Sequence, residues 1–82
     1  MSMITVSLKL LATYRAKLPE GTAGNTVKVE LADGCTVAEL LARFDLPADQ
    51  SSVVLVNGFG VSGDASLNEG DEVCVYSAIA GG

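Results

Sequence analysis

The sequence contains no histidine, and this absence restricts the chemistry that its side chains can perform. Histidine is the commonest general base near neutral pH, so the familiar forms of nucleophilic catalysis lose their usual proton acceptor. Only two cysteines are present, Cys35 and Cys74, too few for the disulfide framework of a small secreted protein. They also fall short of the about four ligands that a structural zinc site or an iron-sulfur cluster needs. We therefore expect free thiols and no metal site.

Positive charge is scarce as well, with five Lys and Arg residues against ten Asp and Glu residues and a formal net charge of -5 at pH 7. Such a surface repels phosphate backbones and anionic lipids, which argues against nucleic acid and membranes as partners. Long hydrophobic runs are missing: the run from Val53 to Val56 is far shorter than the about 20 residues that cross a bilayer. The N-terminus also lacks the pattern of a secretion signal, so we predict a cytoplasmic protein.

The carboxylates and glycines offer no catalytic or phosphate-binding motif. The acidic residues fall at a predicted helix end or in turns, where solvated surface charge is their ordinary role. Gly58, Gly60 and Gly63 are not followed by the Lys-Ser/Thr pair of a phosphate loop, so we interpret them as turn glycines. Cys35 precedes a predicted helix, whose dipole can lower a thiol pKa; a reactive thiol there is the alternative to an unreactive one. We expect that the chain is not an enzyme.

Regular hydrophobic patterning is present instead. Apolar and polar residues alternate over residues 4–10 and 27–31, which predicts two half-buried strands. Thr36 and Glu39 match a capping box, in which each side chain satisfies a free backbone N–H at a helix start. The residues that follow form one apolar helical stripe: Val37, Leu40, Leu41 and Phe44. The first half of the chain therefore predicts two strands and a helix.

The second half predicts further strands. Residues 53–56 are apolar on both faces, so this strand lies inside a sheet or is covered by a partner. Asn57-Gly58 tolerates the positive φ angles of a type I′ hairpin, and residues 59–61 form the return strand. Leu67 is predicted to plug the core, and residues 72–76 form the last strand. The fold class is therefore α+β, a β-grasp with a mixed sheet and one main helix on one face.

The C-terminal residues favour one kind of reaction. We predict a β-grasp domain over residues 1–76 and a flexible tail over residues 77–82, which has too little bulk to pack. Without Cβ atoms, Gly81 and Gly82 can thread a narrow channel and present a carboxylate to a reagent inside another protein. A carboxylate is a poor electrophile until it is activated, for example as an acyl-adenylate, so a separate ATP-using enzyme must supply the chemistry.

Over nearly its whole length the sequence resembles the MoaD/ThiS group of ubiquitin-like sulfur carriers. The matching segments are Leu10-Leu11-Ala12-Thr13-Tyr14-Arg15, Thr36-Val37-Ala38-Glu39-Leu40-Leu41, Val56-Asn57-Gly58, Gly70-Asp71-Glu72-Val73 and Ala80-Gly81-Gly82. The resemblance implies the β-grasp fold. It also implies that an E1-like adenylyltransferase adenylates Gly82 with ATP, that the carboxylate then becomes a thiocarboxylate, and that Gly81 and Ala80 thread the channel of the partner. The chain itself is expected to bind no cofactor.

The segment after the first strand is more similar to the small subunit of molybdopterin synthase than to the thiazole-pathway carrier, which is shorter there. The implied partner is the molybdopterin synthase large subunit, and the implied pathway is that of the molybdenum or tungsten cofactor. Leu11 replaces a frequent aromatic, and Ser77-Ala78 replace frequent prolines, which predicts a more flexible tail base. A thiazole-pathway carrier, a ubiquitin-like protein modifier and a β-grasp interaction module remain alternatives.

One predicted surface concerns the partner. A single helix covers only one sheet face, so apolar residues on the other face are expected to be bound by another protein. Phe59, Tyr76 and Cys74 are the predicted interface residues, because aromatic side chains contribute strongly when they fill a partner's pocket. The acidic balance predicts a basic rim on that partner.

Overall fold

A computed structural model describes residues 2–78 of the chain. Its elements, in chain order, are β1 (Met3–Leu10), a 3-10 helix (Ala12–Lys17), β2 (Thr26–Ala32), α1 (Val37–Arg43), β3 (Ser52–Val56), β4 (Phe59–Gly60) and β5 (Glu72–Ser77). The sheet order is β2-β1-β5-β3-β4, in which β1 and β5 run parallel and the other pairs run antiparallel. The last strand therefore lies in the centre of the sheet, and the predicted mixed sheet with one α-helix is confirmed.

The core lies between the helix and one face of the sheet. Alternation in β1 buries its even-numbered residues, Ile4 to Leu10, and leaves the odd-numbered ones on the other face. The parallel register pairs Leu8 with Val73 and Leu10 with Val75, so the two central strands present their buried side chains together. The core is completed by Val29, Leu31, Val37, Leu40, Leu41, Leu46, Val54 and Leu67. The prediction that Leu67 plugs the core is thus confirmed.

The helix begins as predicted but ends earlier than its apolar stripe suggested. Both halves of the capping box form, because the Thr36 side chain accepts from the Glu39 amide and Glu39 accepts from the Thr36 amide. Phe44 is the C-cap residue and is only half-buried against the core. Asp45 takes a positive φ of 57°, which turns the chain so that Leu46 becomes buried instead. Leu46 therefore occupies a core position that the stripe had assigned to Phe44.

The hairpin between β3 and β4 has the predicted geometry. Asn57 and Gly58 have φ angles of 53° and 89°, as a type I′ turn requires. The Asn57 side chain also ties this turn to the start of β5: its amide donates to Asp71 Oδ1 at 3.0 Å, and its carbonyl accepts from the Glu72 amide at 3.0 Å. Asp71 is almost fully buried, and its carboxylate accepts from the Asn57 side chain through Oδ1 and from the Asn68 amide through Oδ2 at 2.8 Å. These two bonds satisfy a carboxylate that would otherwise be costly to bury.

Candidate functional site

We call the end of β5 together with Ala78 the tail root. It is hydrogen-bonded on both sides, because β5 lies between β1 and β3. On one side the Leu11 amide donates to the Val75 carbonyl at 3.1 Å. On the other side Ser77 pairs with Ser52, and the Ala78 amide donates to the Ser51 carbonyl at 2.8 Å. β5 thus ends at Ser77, one residue beyond the predicted domain boundary at residue 76. The Ala78 amide is still hydrogen-bonded to Ser51, which directly precedes β3. The predicted tail base, Ser77-Ala78, is therefore hydrogen-bonded to residues 51 and 52.

The predicted reactive residue Gly82 and the predicted threading residues Gly81 and Ala80 lie outside the described residues 2–78. The structure describes the point on the sheet from which the chain continues toward these residues. That place is the end of β5, between β1 and β3, at one end of the sheet. A fully extended chain spans at most about 3.6 Å per residue, so four residues past Ala78 stay within about 14 Å of it. The site in a partner that receives Gly82 must therefore lie within about 14 Å of Ala78.

The helix-free face of the sheet carries an apolar group beside this root. Cross-strand pairing places Val53 opposite Tyr76 and Leu55 opposite Cys74. Their chain neighbours Val54, Val73 and Val75 are buried on the helix side, so the four paired residues occupy the other face, and all four are half-buried. We call Val53, Leu55, Cys74 and Tyr76 the open-face patch. Tyr76 and Cys74 thus occupy the face on which an interface was predicted.

The open-face patch continues into a shallow concavity of about 430 Å³ with charged walls. Lys9 lies opposite Cys74 in the parallel ladder, and both it and Glu72 line the concavity. Lys28 donates from Nζ to the Ser7 hydroxyl at 2.9 Å on the neighbouring strand. Two of the chain's five cations therefore lie on this face. The face carries mixed charge, which differs from the acidic surface that the net charge alone suggested.

Phe59 does not share this face. It pairs with Val56 in the β3–β4 ladder, and Val56 pairs with the buried Val73 on the helix side. Directly paired residues of an antiparallel ladder lie on the same side, so Phe59 is on the helix side of the sheet edge. Its side chain is 76% exposed there. The three predicted interface residues therefore lie on two surfaces, with Tyr76 and Cys74 on one and Phe59 on the other.

The structure does not favour Cys35 as a reactive thiol. The pKa of the Cys35 thiol is raised, first by partial burial and then by the negative charge of Glu39, while the positive charge of Arg43 acts in the opposite direction. Its sulfur lies 3.5 Å from the Thr36 carbonyl oxygen, which accepts the thiol proton. A raised pKa leaves less thiolate near neutral pH, and the thiolate is the reactive form. Both cysteines are free thiols.

Tyr14 lies in the family-like segment 10–15, but the sequence did not predict its contacts. It lies in the 3-10 helix, where the hydrophobic pattern was irregular, and its hydroxyl lies 2.8 Å from Ser52 Oγ. The same hydroxyl is 3.5 Å from the Ser51 carbonyl, which also accepts from Ala78. The sequence shows a tyrosine between a strand and a loop, but its hydrogen-bond partners are 37 and 38 residues away along the chain.

Other kinds of site find no support in residues 2–78. No group of three or more His, Cys, Asp or Glu side chains in this range is arranged to hold a metal ion. No helix in the same range is long and apolar enough to span a membrane.

Comparisons with solved structures identify the fold. Small archaeal modifier protein 1 of H. volcanii gives a TM-score of 0.73 at 20% identity, over 93% of this chain and 99% of that chain. A putative molybdopterin converting factor, subunit 1, from Pyrococcus furiosus gives 0.72 at 24% identity, over 93% and 99%. Caldiarchaeum subterraneum ubiquitin gives 0.60 at 16% identity, over 99% and 100%. The chain therefore has the ubiquitin-like β-grasp fold.

Comparisons of the sequence identify the family. No curated protein sequence matches the chain. Among protein families, the ThiS family matches residues 9–82, from the end of β1 through the last two glycines. This match spans nearly the whole chain and includes every element after β1. The chain belongs to the ThiS family.

Proposed function

We propose that the chain is a sulfur carrier for molybdopterin biosynthesis. In this proposal an E1-like adenylyltransferase activates the C-terminal carboxylate of Gly82, which then becomes a thiocarboxylate and donates its sulfur in complex with the molybdopterin synthase large subunit. The observation that carries the proposal is the ThiS family match, which continues to Gly82. The P. furiosus neighbour, described as a molybdopterin converting factor subunit, supports the choice of pathway.

The chemistry fits a chain that supplies a substrate group rather than a catalyst. A carboxylate oxygen of Gly82 attacks the α-phosphorus of ATP, so pyrophosphate leaves and a mixed anhydride with AMP forms. A sulfur donor at the sulfide level then attacks the carbonyl carbon, and AMP leaves with the electrons of the broken C–O bond. Two terminal residues without Cβ atoms let the carbonyl enter a narrow channel. ATP is bound and used by the activating enzyme.

The location of the tail root supports this division of labour. Hydrogen bonds from Leu11 and Ala78 fix the end of β5 between its neighbours. A partner that binds the sheet beside this root can receive the tail without rearranging the core.

The open-face patch is the proposed docking surface for the large subunit. Tyr76 combines an aromatic ring with a hydroxyl, a combination common at the centre of interfaces. We expect Tyr76→Ala to weaken binding by at least about 1 kcal/mol. Phe59→Ala is the matched control, because Phe59 is exposed on the other side of the sheet. Titration calorimetry with the large subunit, at two ionic strengths, measures both. Equal affinity of the wild type and Tyr76→Ala would place the docking surface elsewhere, and a loss in Phe59→Ala would show that the partner wraps the sheet edge.

A protein modifier is the second candidate function. The similarity to the small archaeal modifier protein 1 of H. volcanii favours it, because that neighbour covers nearly the same residues with the same fold. Both functions begin with activation of Gly82 and differ in the acceptor. Mass spectrometry of cellular proteins, digested with an endopeptidase that cuts after Glu72, distinguishes them: Gly82 in an isopeptide bond to lysine supports the modifier.

Reconstitution with the activating enzyme tests the carrier function. Wild-type chain is expected to support ATP-pyrophosphate exchange and, with a sulfur donor, transfer to the molybdopterin precursor. Deletion of Gly82 and Gly81→Ala are both expected to abolish transfer, whereas circular dichroism remains unchanged. Full transfer by the deletion variant would contradict the proposal.

A further inference from the structure

We infer that Tyr14 is a positioning residue that fixes the direction in which the tail leaves the sheet. The inference rests on the proposed activation of the C-terminal carboxylate and concerns the described residues at the tail root. In the sheet, β5 lies between β1 and β3. Tyr14 follows β1 in the chain, yet its hydroxyl bonds Ser52 at the start of β3. The side chain therefore links the two neighbours of β5 to each other.

The direction of the hydrogen bonds follows from proton counting. Ser52 has one hydroxyl proton, and its Oγ lies 2.7 Å from the Pro47 carbonyl, which can only accept. That proton is therefore used on Pro47, and Tyr14 must donate to Ser52 Oγ across the 2.8 Å contact. Tyr14 therefore donates to Ser52, and Ser52 donates to the Pro47 carbonyl before β3. Bonds in such a chain polarise and strengthen one another.

This chain acts on the segment that holds the tail root. Ser52 pairs with Ser77, and the neighbouring Ser51 carbonyl accepts the Ala78 amide at 2.8 Å. The Tyr14 hydroxyl is also within 3.5 Å of that carbonyl. Tyr14 itself is half-buried and packs against the core, so its ring approaches from the helix side and leaves the open-face patch free. Tyr14 thus holds Ser52 by its one donated hydrogen bond, and residues 51 and 52 in turn hold residues 77 and 78.

A clamped root matters because the reacting group lies only a few residues farther along. If the hydrogen bonds of residues 77 and 78 break, the chain can leave the sheet in several directions. Fewer of the bound complexes then place the carboxylate at the ATP of the activating enzyme. Proximity and orientation of this kind contribute to the rate of the step and not to the binding of the folded domain. Loss of the clamp should therefore lower kcat for adenylation and leave KM nearly unchanged.

The test compares Tyr14→Phe, Ser52→Ala and the control Ser62→Ala. Ser62 donates its hydroxyl to Asp64 on an exposed loop, so this control loses a hydroxyl of the same type away from the tail root. One hydrogen bond is worth a factor of about 2 to 10 in an equilibrium. We expect amide hydrogen exchange at Ala78 to accelerate by about 2- to 10-fold in both test variants and not in the control.

The second readout is pyrophosphate exchange by the activating enzyme, with the full chain as the varied substrate. We expect kcat to fall at least about twofold in Tyr14→Phe and Ser52→Ala, with KM within error of the wild type. Unchanged Ala78 exchange, or faster exchange with unchanged kcat, would overturn the inference. If Tyr14→Phe does not fold, Ser52→Ala decides alone. A wild-type chain that is never adenylated would instead defeat the proposed function, so the two failures are distinguishable.

Discussion

Replacement of Leu40 by Ala is expected to be the more damaging of two changes on the helix stripe. Leu40 has 0% exposure and lies within the core formed by α1, β1, β5 and Leu67. Removing a fully buried leucine side chain costs about 2 to 5 kcal/mol, because the lost transfer free energy is added to the cost of the remaining cavity. At about 0.05 to 0.15 kcal/mol per residue, a chain of 82 residues has a total stability of roughly 4 to 12 kcal/mol.

Replacement of Phe44 by Ala is expected to cost less. Phe44 is half-buried at the C-cap, so Phe44→Ala removes only part of the contacts that a buried phenylalanine would lose. Full burial would predict about 3 to 5 kcal/mol, and half that burial predicts roughly 1.5 to 2.5 kcal/mol. The sequence alone places both residues on the same apolar stripe and does not distinguish them. The difference arises because the helix ends at Arg43 and Leu46 takes the core position.

Urea denaturation of both variants, with Leu40→Met as a control that conserves volume, provides the measurement. We expect the control to lose less than about 1.5 kcal/mol. The midpoint should fall without a change in slope, because the compactness of the native and unfolded states is unaltered. A loss below about 1 kcal/mol in Leu40→Ala would mean that the helix face is assigned wrongly. A larger loss in Phe44→Ala than in Leu40→Ala would contradict the observed helix end.

Three single substitutions or modifications probe local geometry. Thr36→Ala removes the acceptor for the Glu39 amide and should cost about 0.5 to 2 kcal/mol in urea denaturation; no loss would mean that the capping box contributes nothing. Gly58→Ala should cost about 1 to 2 kcal/mol, because a Cβ would meet no atom within 4 Å but the φ of 89° is strained for alanine; an unchanged midpoint would contradict the turn type. Alkylation of Cys35 by iodoacetamide near neutral pH should be slower in the folded chain than in urea, since its raised pKa reduces the thiolate fraction; peptide mapping reads the rate, and faster alkylation of the folded chain would contradict the raised pKa.

Much of the fold follows from short-range signals in the sequence. The alternation in β1, the capping box at Thr36 and the turn at Asn57-Gly58 are each decided by a few neighbouring residues, and each formed as predicted. These signals share one property: the interactions that fix the conformation lie within about one turn or strand. The central location of β5 was consistent with them but needed long-range pairing to be established.

The features that sequence reasoning missed depend on such long-range pairing. The side of the sheet on which Phe59 lies is fixed by the register of β4 on β3, and a shift of one residue would reverse it. The 3-10 helix shows no apolar period, and Tyr14 acquires its role only when β1 and β3 flank β5. The end of β5 depends on pairing of the same kind, because Ser77 belongs to the strand through its pairing with Ser52.

The most direct test of the carrier function is the intact mass of the chain purified, without heating, from cells that contain its activating enzyme. We predict a species in which one terminal oxygen of Gly82 is replaced by sulfur, and we predict that it disappears from the Gly82 deletion variant. Tandem mass spectrometry should locate the sulfur on the C-terminal residue. A native chain that carries only the ordinary carboxylate in freshly prepared samples, while the activating enzyme and sulfur donor are shown to be active, would contradict the account.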